Sequence, residues 1–75
     1  MNFVERELLK EFSKKFVMKF DEVMEFLRNN GRKDVDNLAK RCLRDLAEKG
    51  LITELHFLGK CYAITQEGIK ALRRF

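Results

Sequence analysis

The chain has 75 residues, which is the size of one small domain, and we expect residues 1–75 to form it. Apolar residues make up 45% and charged residues 37%. A chain this short buries only about 60% of its unfolded surface, so dimerisation would add stability. The net charge is +4, and the excess lies after residue 30, which favours an anionic partner. Neither a signal peptide nor an apolar run of the ~20 residues of a membrane span is present, so we expect a cytoplasmic protein without a membrane partner.

The first third of the chain predicts a helix, a short strand and a second helix. Residues 3–15 carry an apolar stripe at helical spacing. In residues 16–20 this period breaks among β-favouring residues, so we favour a strand over a continuation of the helix. Asp21 is a suitable N-cap for the second helix. The core face of that helix comprises Val23, Met24 and Leu27, with Phe26 beside them.

The third helix is predicted at about residues 34–49. Asn29-Asn30-Gly31 stops the second helix, with Gly31 suited to the left-handed position after its last turn. The third helix starts at Asp34 or one or two residues later. Asp34 is expected to cap its free amides, and Gly50 ends it. Its core stripe comprises Val35, Leu38, Cys42 and Leu46, flanked by Ala39 and Leu43.

Residues 52–65 predict a β-hairpin. Its arms are residues 52–57 and 60–65, and Gly59 supplies the positive φ that a tight turn needs after Leu58. Alternation places Ile52, Tyr62 and Ile64 on one face, while Leu55, Phe57 and Leu58 add further apolar side chains.

A last helix follows the hairpin. Thr65 is placed to cap it, and Ile69 and Leu72 are expected to point to the core. Arg73 and Arg74 are interpreted as surface charge near a frayed end.

The polar face of the third helix has two interpretations. Asn side chains bond adenine, Arg side chains bond guanine and Lys side chains bind phosphate, so this face suits DNA. It also suits a solvated surface held by i,i+4 pairs such as Arg41–Asp45 and Arg44–Glu48. The residues opposite the core stripe are Asn37, Lys40, Arg41, Arg44 and Glu48.

Four further polar residues are candidates on loops and turns. Arg32 and Lys33 precede the third helix and would either bind phosphate or simply solvate the loop, and both interpretations remain open. His56 and Lys60 lie on or near the hairpin. A metal-ligand role for His56 is disfavoured because no second ligand lies in register with it.

Neither catalysis nor a cofactor finds support in the composition. Cys42 and Cys61 fit no zinc or redox spacing, and buried thiols are favoured over a Cys42–Cys61 disulfide. The chain has one histidine and one serine, Ser13, and it has no glycine-rich phosphate loop. We therefore expect no enzyme, no metal, no cofactor and no small-molecule ligand.

Two segments carry a family resemblance. LRDLAEKGLI at residues 43–52 and YAITQEGIKAL at residues 62–72 resemble the second half of winged helix-turn-helix domains, especially those of small prokaryotic and archaeal regulators. The resemblance implies an α+β fold with a three-helix core, a short hairpin wing at residues 52–65 and a C-terminal helix. It also implies a transcription regulator that lays its third helix in the major groove of double-stranded DNA. The residues then expected to contact DNA are Arg32, Lys33, Asn37, Lys40, Arg41, Arg44, His56 and Lys60.

Apolar residues outside the predicted core favour a protein partner as well. A hairpin that is apolar on both faces suggests a contact surface, and we expect a homodimer through helix 1, the last helix or the wing. The same feature and the modest charge favour the alternative function, a winged-helix protein-interaction module within a larger complex. The residues of this surface are Leu55, Phe57 and Leu58, with Phe3, Phe12 and Phe75 as additions.

Overall fold

The computed structural model describes residues 1–56 and 59–74, and within them it has four helices and a three-stranded antiparallel sheet. The predicted α+β class and the predicted order of elements are confirmed. Phe57, Leu58 and Phe75, which were predicted to be part of a contact surface, lie outside the described residues. The elements are α1 Phe3–Lys15, β1 Val17–Lys19, α2 Phe20–Asn29, α3 Val35–Glu48, β2 Ile52–Leu55, β3 Cys61–Ile64 and α4 Gln66–Arg73.

The start of α1 is tied to the end of α3 through a buried carboxylate. Asn2 Oδ1 accepts a hydrogen bond from the Glu5 amide at 2.8 Å, and Glu5 Oε1 accepts one from the Asn2 amide at 3.3 Å. Glu5 is only 3% exposed, and its Oε1 also lies 3.3 Å from Lys49 Nζ. A buried charge needs such partners, so this pair fixes α1 against the residue that follows α3.

Phe12 belongs to the core, so its predicted place on a contact surface is wrong. It is fully buried together with Leu8 and Leu9. Phe12 follows these residues by four and three positions, which puts all three on one face of α1. That face packs against the other helices and the sheet.

The predicted strand after α1 is confirmed as β1, which is shorter than the predicted residues 16–20, and a strained residue precedes it. Phe16 has φ 66° and ψ −42°, a conformation that bulky residues rarely adopt. Its amide donates to the Phe12 carbonyl at 2.7 Å, and its carbonyl accepts from the Ile64 amide at 3.0 Å. These bonds hold the turn, and the Phe16 side chain is left 60% exposed beside Val17, which is 45% exposed.

The predicted N-cap of α2 at Asp21 is wrong. The Phe20 amide donates to the Lys60 carbonyl at 2.9 Å, so pairing with the start of β3 extends to the first residue of α2. The cap position falls on Lys19, whose amide donates to Glu22 Oε1 at 2.9 Å. Asp21 lies in the first turn instead, where its charge complements the helix dipole.

Asp34 precedes α3 as predicted, but its side chain does not cap the helix. It has left-handed backbone angles, φ 52° and ψ 47°, whereas a side-chain N-cap needs extended backbone. The buried face of α3 is also turned toward Leu43 compared with the predicted stripe, because α3 contacts both α2 and β2. Its buried residues are Ala39, Cys42, Leu43 and Leu46, while Val35 and Leu38 are half-buried.

β3 is the central strand of the sheet, with β1 and β2 on either side. The strands are shorter than the predicted arms, and Gly59 has the predicted positive φ, at 82°. Paired residues share a face, so Ile52, Tyr62 and Ile64 lie on one face as predicted. Met18 and Glu54, which both pair with Tyr62, lie on that face too. Leu55 pairs with Cys61 on the opposite face.

A tight junction places α4. Thr65 Oγ1 accepts from the Gly68 amide at 3.0 Å, as a cap should, and donates to the Gly50 carbonyl at 2.7 Å. The predicted core residue Leu72 packs against the core together with Ala71. The prediction for Ile69 is wrong. The helix turns its Gly68 face toward Leu51, and Ile69 instead lines a surface groove with Lys70 and Arg73.

We predict that Gly68→Ala destabilises the protein by about 1–3 kcal/mol, although alanine is the better helix former by about 1 kcal/mol. The added Cβ would lie against the Leu51 carbonyl oxygen and 2.8 Å from Ile64 Cγ1. Urea unfolding monitored by circular dichroism measures the change. Gln66→Ala, an exposed substitution in the same helix, is the control, and a Gly68→Ala midpoint at or above the wild-type value would contradict the close contact.

Candidate nucleic-acid interface

The residues predicted on the polar face of α3 are all exposed in the structure. Asn37, Lys40, Arg41, Arg44 and Glu48 lie away from the buried face. The helical period predicted this arrangement correctly, since four of the five follow each other at spacings of three or four residues.

Two of these side chains already have partners near the start of α3. Asn37 Nδ2 donates to both carboxylate oxygens of Asp34 at 3.2 Å. Lys40 Nζ lies 3.2 Å from Asp36 Oδ2, and both side chains are more than half exposed. Such pairs are weak, but they reduce the positive potential of the first two turns.

The middle of α3 has positive charge with little compensation. Within the described part of the chain Arg41 forms no ion pair, and Arg44 approaches only Asp45, with 3.9 Å between Nε and Oδ1. The predicted i,i+4 pairs of Arg41 with Asp45 and of Arg44 with Glu48 are therefore not formed. Both guanidinium groups are available to an anionic partner.

Arg32 and Lys33 differ in their exposure to solvent. Arg32 is half-buried and lines a groove formed with Val4 of α1 and Phe26 of α2. Lys33 is exposed. Only Lys33 therefore remains a solvent-facing cation in the loop before α3.

The two hairpin candidates also differ in their surroundings. His56 extends into solvent, with Nδ1 3.7 Å from Glu54 Oε2. Lys60 Nζ lies 5.3 Å from the centre of the Phe20 ring, within the range of a cation–π contact. Lys60 shares a groove with Lys40 and Arg44, whereas His56 is not among the residues that line it.

This groove, which we call the α3–hairpin groove, has a volume of about 430 Å³. One wall is α3, where buried Leu43 and exposed Ala47 lie between charged side chains. The charged residues of this wall are Lys40, Arg44 and Glu48.

The opposite wall of the α3–hairpin groove is the sheet. It presents Glu54 and Tyr62, which are a directly paired position of β2 and β3, together with Lys60 and Phe20. Burial raises the pKa of Tyr62 above its ordinary value of 10.0, and the nearby Glu54 carboxylate raises it further. The Tyr62 hydroxyl therefore stays protonated at neutral pH and can donate a hydrogen bond.

Phe20, Glu54 and Tyr62 are groove residues that the sequence interpretation did not assign to the site. Phe20 and Tyr62 are 42 positions apart, and only the β1–β3 pairing brings them together. Alternation along β3 predicted the face on which Tyr62 lies, but not that α3 leaves this ring half-exposed.

The two cysteines are buried thiols, as predicted, and no disulfide joins them. Within residues 1–56 and 59–74, no group of three or more histidine, cysteine or acidic residues is placed to hold a metal ion. Burial raises the pKa of the Cys42 thiol above its ordinary 9.0, and Glu5 raises it further. Cys42 is therefore neutral at physiological pH.

Comparisons with known proteins give this chain no relative. A scan against family models, a search of curated proteins and a search of solved structures each found no match. In the part of the chain that the structure describes, no helix has both the length and the apolar character needed to cross a membrane.

We predict that Cys42 makes folding less favourable in alkali. Its pKa is higher in the folded protein than the ordinary 9.0, so folding favours the protonated thiol. Its contribution to stability is complete below pH 9.0 and is lost as the pH rises further, because the unfolded chain ionises first. Urea unfolding from about pH 8 to about pH 10 should show a steeper loss for wild type than for Cys42→Ala. Parallel pH profiles would show that the buried thiol has no such role.

Proposed function

We propose that this protein is a winged helix-turn-helix DNA-binding protein and acts as a transcription regulator. In this proposal α3 enters the major groove of double-stranded DNA and the hairpin at residues 52–65 is the wing. The order of helices and strands and the pairing of β1 with β3 are compatible with that fold. The family assignment itself rests on the sequence resemblance.

The observation that carries the proposal is the charge of the middle of α3. Arg41 and Arg44 point away from the core without a close carboxylate partner, and a fork of guanidinium donors suits guanine and phosphate. Lys60 adds a cation across the α3–hairpin groove from Arg44. Asn37 would have to break its hydrogen bonds to Asp34 before it could form hydrogen bonds to a base. Lys33 and His56 remain candidates for contacts to the DNA backbone. Arg32 is half-buried and is therefore the least accessible of the predicted DNA-binding residues.

The proposal predicts that Arg41→Ala combined with Arg44→Ala weakens duplex binding and lowers its salt dependence. Each lost phosphate contact should reduce the slope of log K against log salt by about 0.9. Fluorescence anisotropy of a labelled random-sequence duplex at several salt concentrations measures both quantities. Unchanged affinity would remove α3 from DNA binding.

Two further variants make this experiment specific. Lys10→Ala with Lys14→Ala removes the same charge from exposed positions of α1 and should leave most of the affinity intact. Asp36→Asn frees Lys40 from its 3.2 Å pair and should strengthen binding. An equal loss in both double variants would show that net charge, and not α3, governs the affinity.

We also propose that the protein acts as a homodimer through a patch formed by Phe16 and Val17, which we call the β1 patch. Holding a bulky residue at positive φ costs on the order of 1–3 kcal/mol, and here the strained side chain is also 60% exposed. A second copy of the chain would cover the patch by a two-fold contact, in which each copy presents the same surface. The same observation favours the alternative function, a protein-interaction module that binds a different chain.

Phe16→Gly is predicted to weaken association while leaving the monomer as stable or more stable, because glycine relieves the positive φ. Sedimentation velocity across a range of protein concentrations reports association, and urea unfolding at low concentration reports monomer stability. Lys14→Ala, a substitution at an exposed position of α1 outside the β1 patch, serves as the control. A wild-type protein that stays at 8.9 kDa at tens of micromolar would eliminate the homodimer.

A further inference from the structure

The α3–hairpin groove has features that contact with the backbone of a duplex does not require. Its lining is partly apolar and aromatic, with Leu43 of α3 and the rings of Phe20 and Tyr62. Both rings are half-buried, so part of each remains open to the groove. Aromatic rings beside cations are the usual means by which proteins hold unstacked bases, since every base has a face that can stack.

The charges of the groove are arranged along its length. Lys40 and Glu48 are eight residues apart on α3, which corresponds to about 12 Å along the helix. Lys60 lies at the Phe20 end, where its carbonyl accepts from the Phe20 amide, and Glu54 pairs with Tyr62 farther along the hairpin. Each wall of the groove therefore has both cations and a carboxylate, with Lys40 and Arg44 before Glu48 on α3 and Lys60 near Glu54 on the hairpin.

This pattern limits the possible occupants. A purely apolar partner would bury five charged side chains without compensation, which is unfavourable. A purely acidic partner would meet Glu48 and Glu54. The suitable occupant has an anionic group, a flat ring and hydrogen-bond donors on that ring, and a nucleotide with an amino-substituted base has all three. The volume of about 430 Å³ lies in the range of about 300–1,000 Å³ found for small-ligand sites.

We propose that the α3–hairpin groove holds one unpaired nucleotide of a bound DNA strand. The base stacks against Tyr62, its phosphate binds Lys60 and Arg44, and its amino group donates to Glu48 or Glu54. This inference rests on the proposed DNA-binding function and adds that the protein prefers sites with an unpaired, amino-bearing base. Stacking on an aromatic side chain is strong enough to produce about a tenfold preference.

Fluorescence anisotropy with a set of matched duplexes tests the preference. The set comprises one perfect duplex and three versions that carry a single extra nucleotide, which is cytidine, thymidine or an abasic residue. We expect about tenfold tighter binding of the cytidine bulge than of the perfect duplex. The abasic bulge has similar flexibility but no base, so it should bind like the perfect duplex. Thymine lacks an exocyclic amino group, so its bulge should bind more weakly than cytidine.

Variants assign the preference to the groove. Tyr62→Leu should abolish the preference for the cytidine bulge, and Tyr62→Phe, which keeps the ring, should retain it. Glu48→Gln with Glu54→Gln should remove the preference for cytidine over thymidine. Glu67→Gln changes an exposed carboxylate on α4 and should alter none of these ratios.

A spectroscopic measurement reports on the site directly. The chain has a single tyrosine, so protein labelled with 3-fluorotyrosine gives one ¹⁹F resonance, from Tyr62. The cytidine bulge should shift this resonance, while the abasic bulge should leave it as the perfect duplex does. The readout does not depend on any substitution and therefore holds even if Tyr62→Leu fails to fold.

The outcomes separate the two proposals. Equal binding of all four duplexes with a normal salt dependence would overturn the unpaired-nucleotide site and leave duplex binding in place. Binding of the cytidine bulge without measurable binding of the perfect duplex would overturn the proposed duplex regulator and support the groove site. Absence of binding to every duplex at low salt would overturn both.

Discussion

The junction of Leu51, Thr65 and Gly68 determines how the surfaces of this protein are arranged. The Thr65 amide donates to the Leu51 carbonyl at 3.1 Å, and the Thr65 hydroxyl joins the end of α3 to the start of α4. Gly68 lets the backbone of α4 approach the same carbonyl closely. The directions of α3, the hairpin and α4 are therefore fixed where they meet at this junction. The two walls of the α3–hairpin groove, α3 and the sheet, both adjoin this junction in the chain.

Short-range signals in the sequence predicted the elements well, while tertiary contacts decided the details. The apolar period of α1, the stop at Gly31 and the Thr65 cap depend on neighbouring residues, and each was predictable. Asp21 and Asp34 failed as caps for reasons outside their own segments. Pairing of the Phe20 amide with Lys60 moved the start of α2, and the left-handed backbone of Asp34 turned its carboxylate toward Asn37.

The candidate site shows the same division. Helical periodicity identified the exposed side of α3, including Arg41 and Arg44, because exposure on a helix repeats with its turn. Periodicity could not reveal which of these charges are compensated by neighbours, since ion pairing depends on side-chain geometry. Nor could it reveal a groove whose walls include Phe20, Leu43 and Tyr62, which come from three separate elements. A surface formed by one helix can be predicted from sequence periodicity. A groove formed by several elements can be described only once the fold is known.

The edge of β1 limits the kind of assembly this protein can form. The backbone carbonyl of Phe16 and the backbone amide of Phe20 form hydrogen bonds on the side of β3. Backbone groups alternate in direction along a strand, so those of Val17 and Lys19 point outward. The Lys19 amide already donates to the Glu22 carboxylate, so too few backbone groups remain for a further strand to pair with β1. Open sheet edges are the usual route to aggregation and fibres, and at β1 the satisfied Lys19 amide restricts that route. In the proposed homodimer, Phe16 and Val17 would therefore meet their copies through side-chain packing and not through pairing of the two β1 strands.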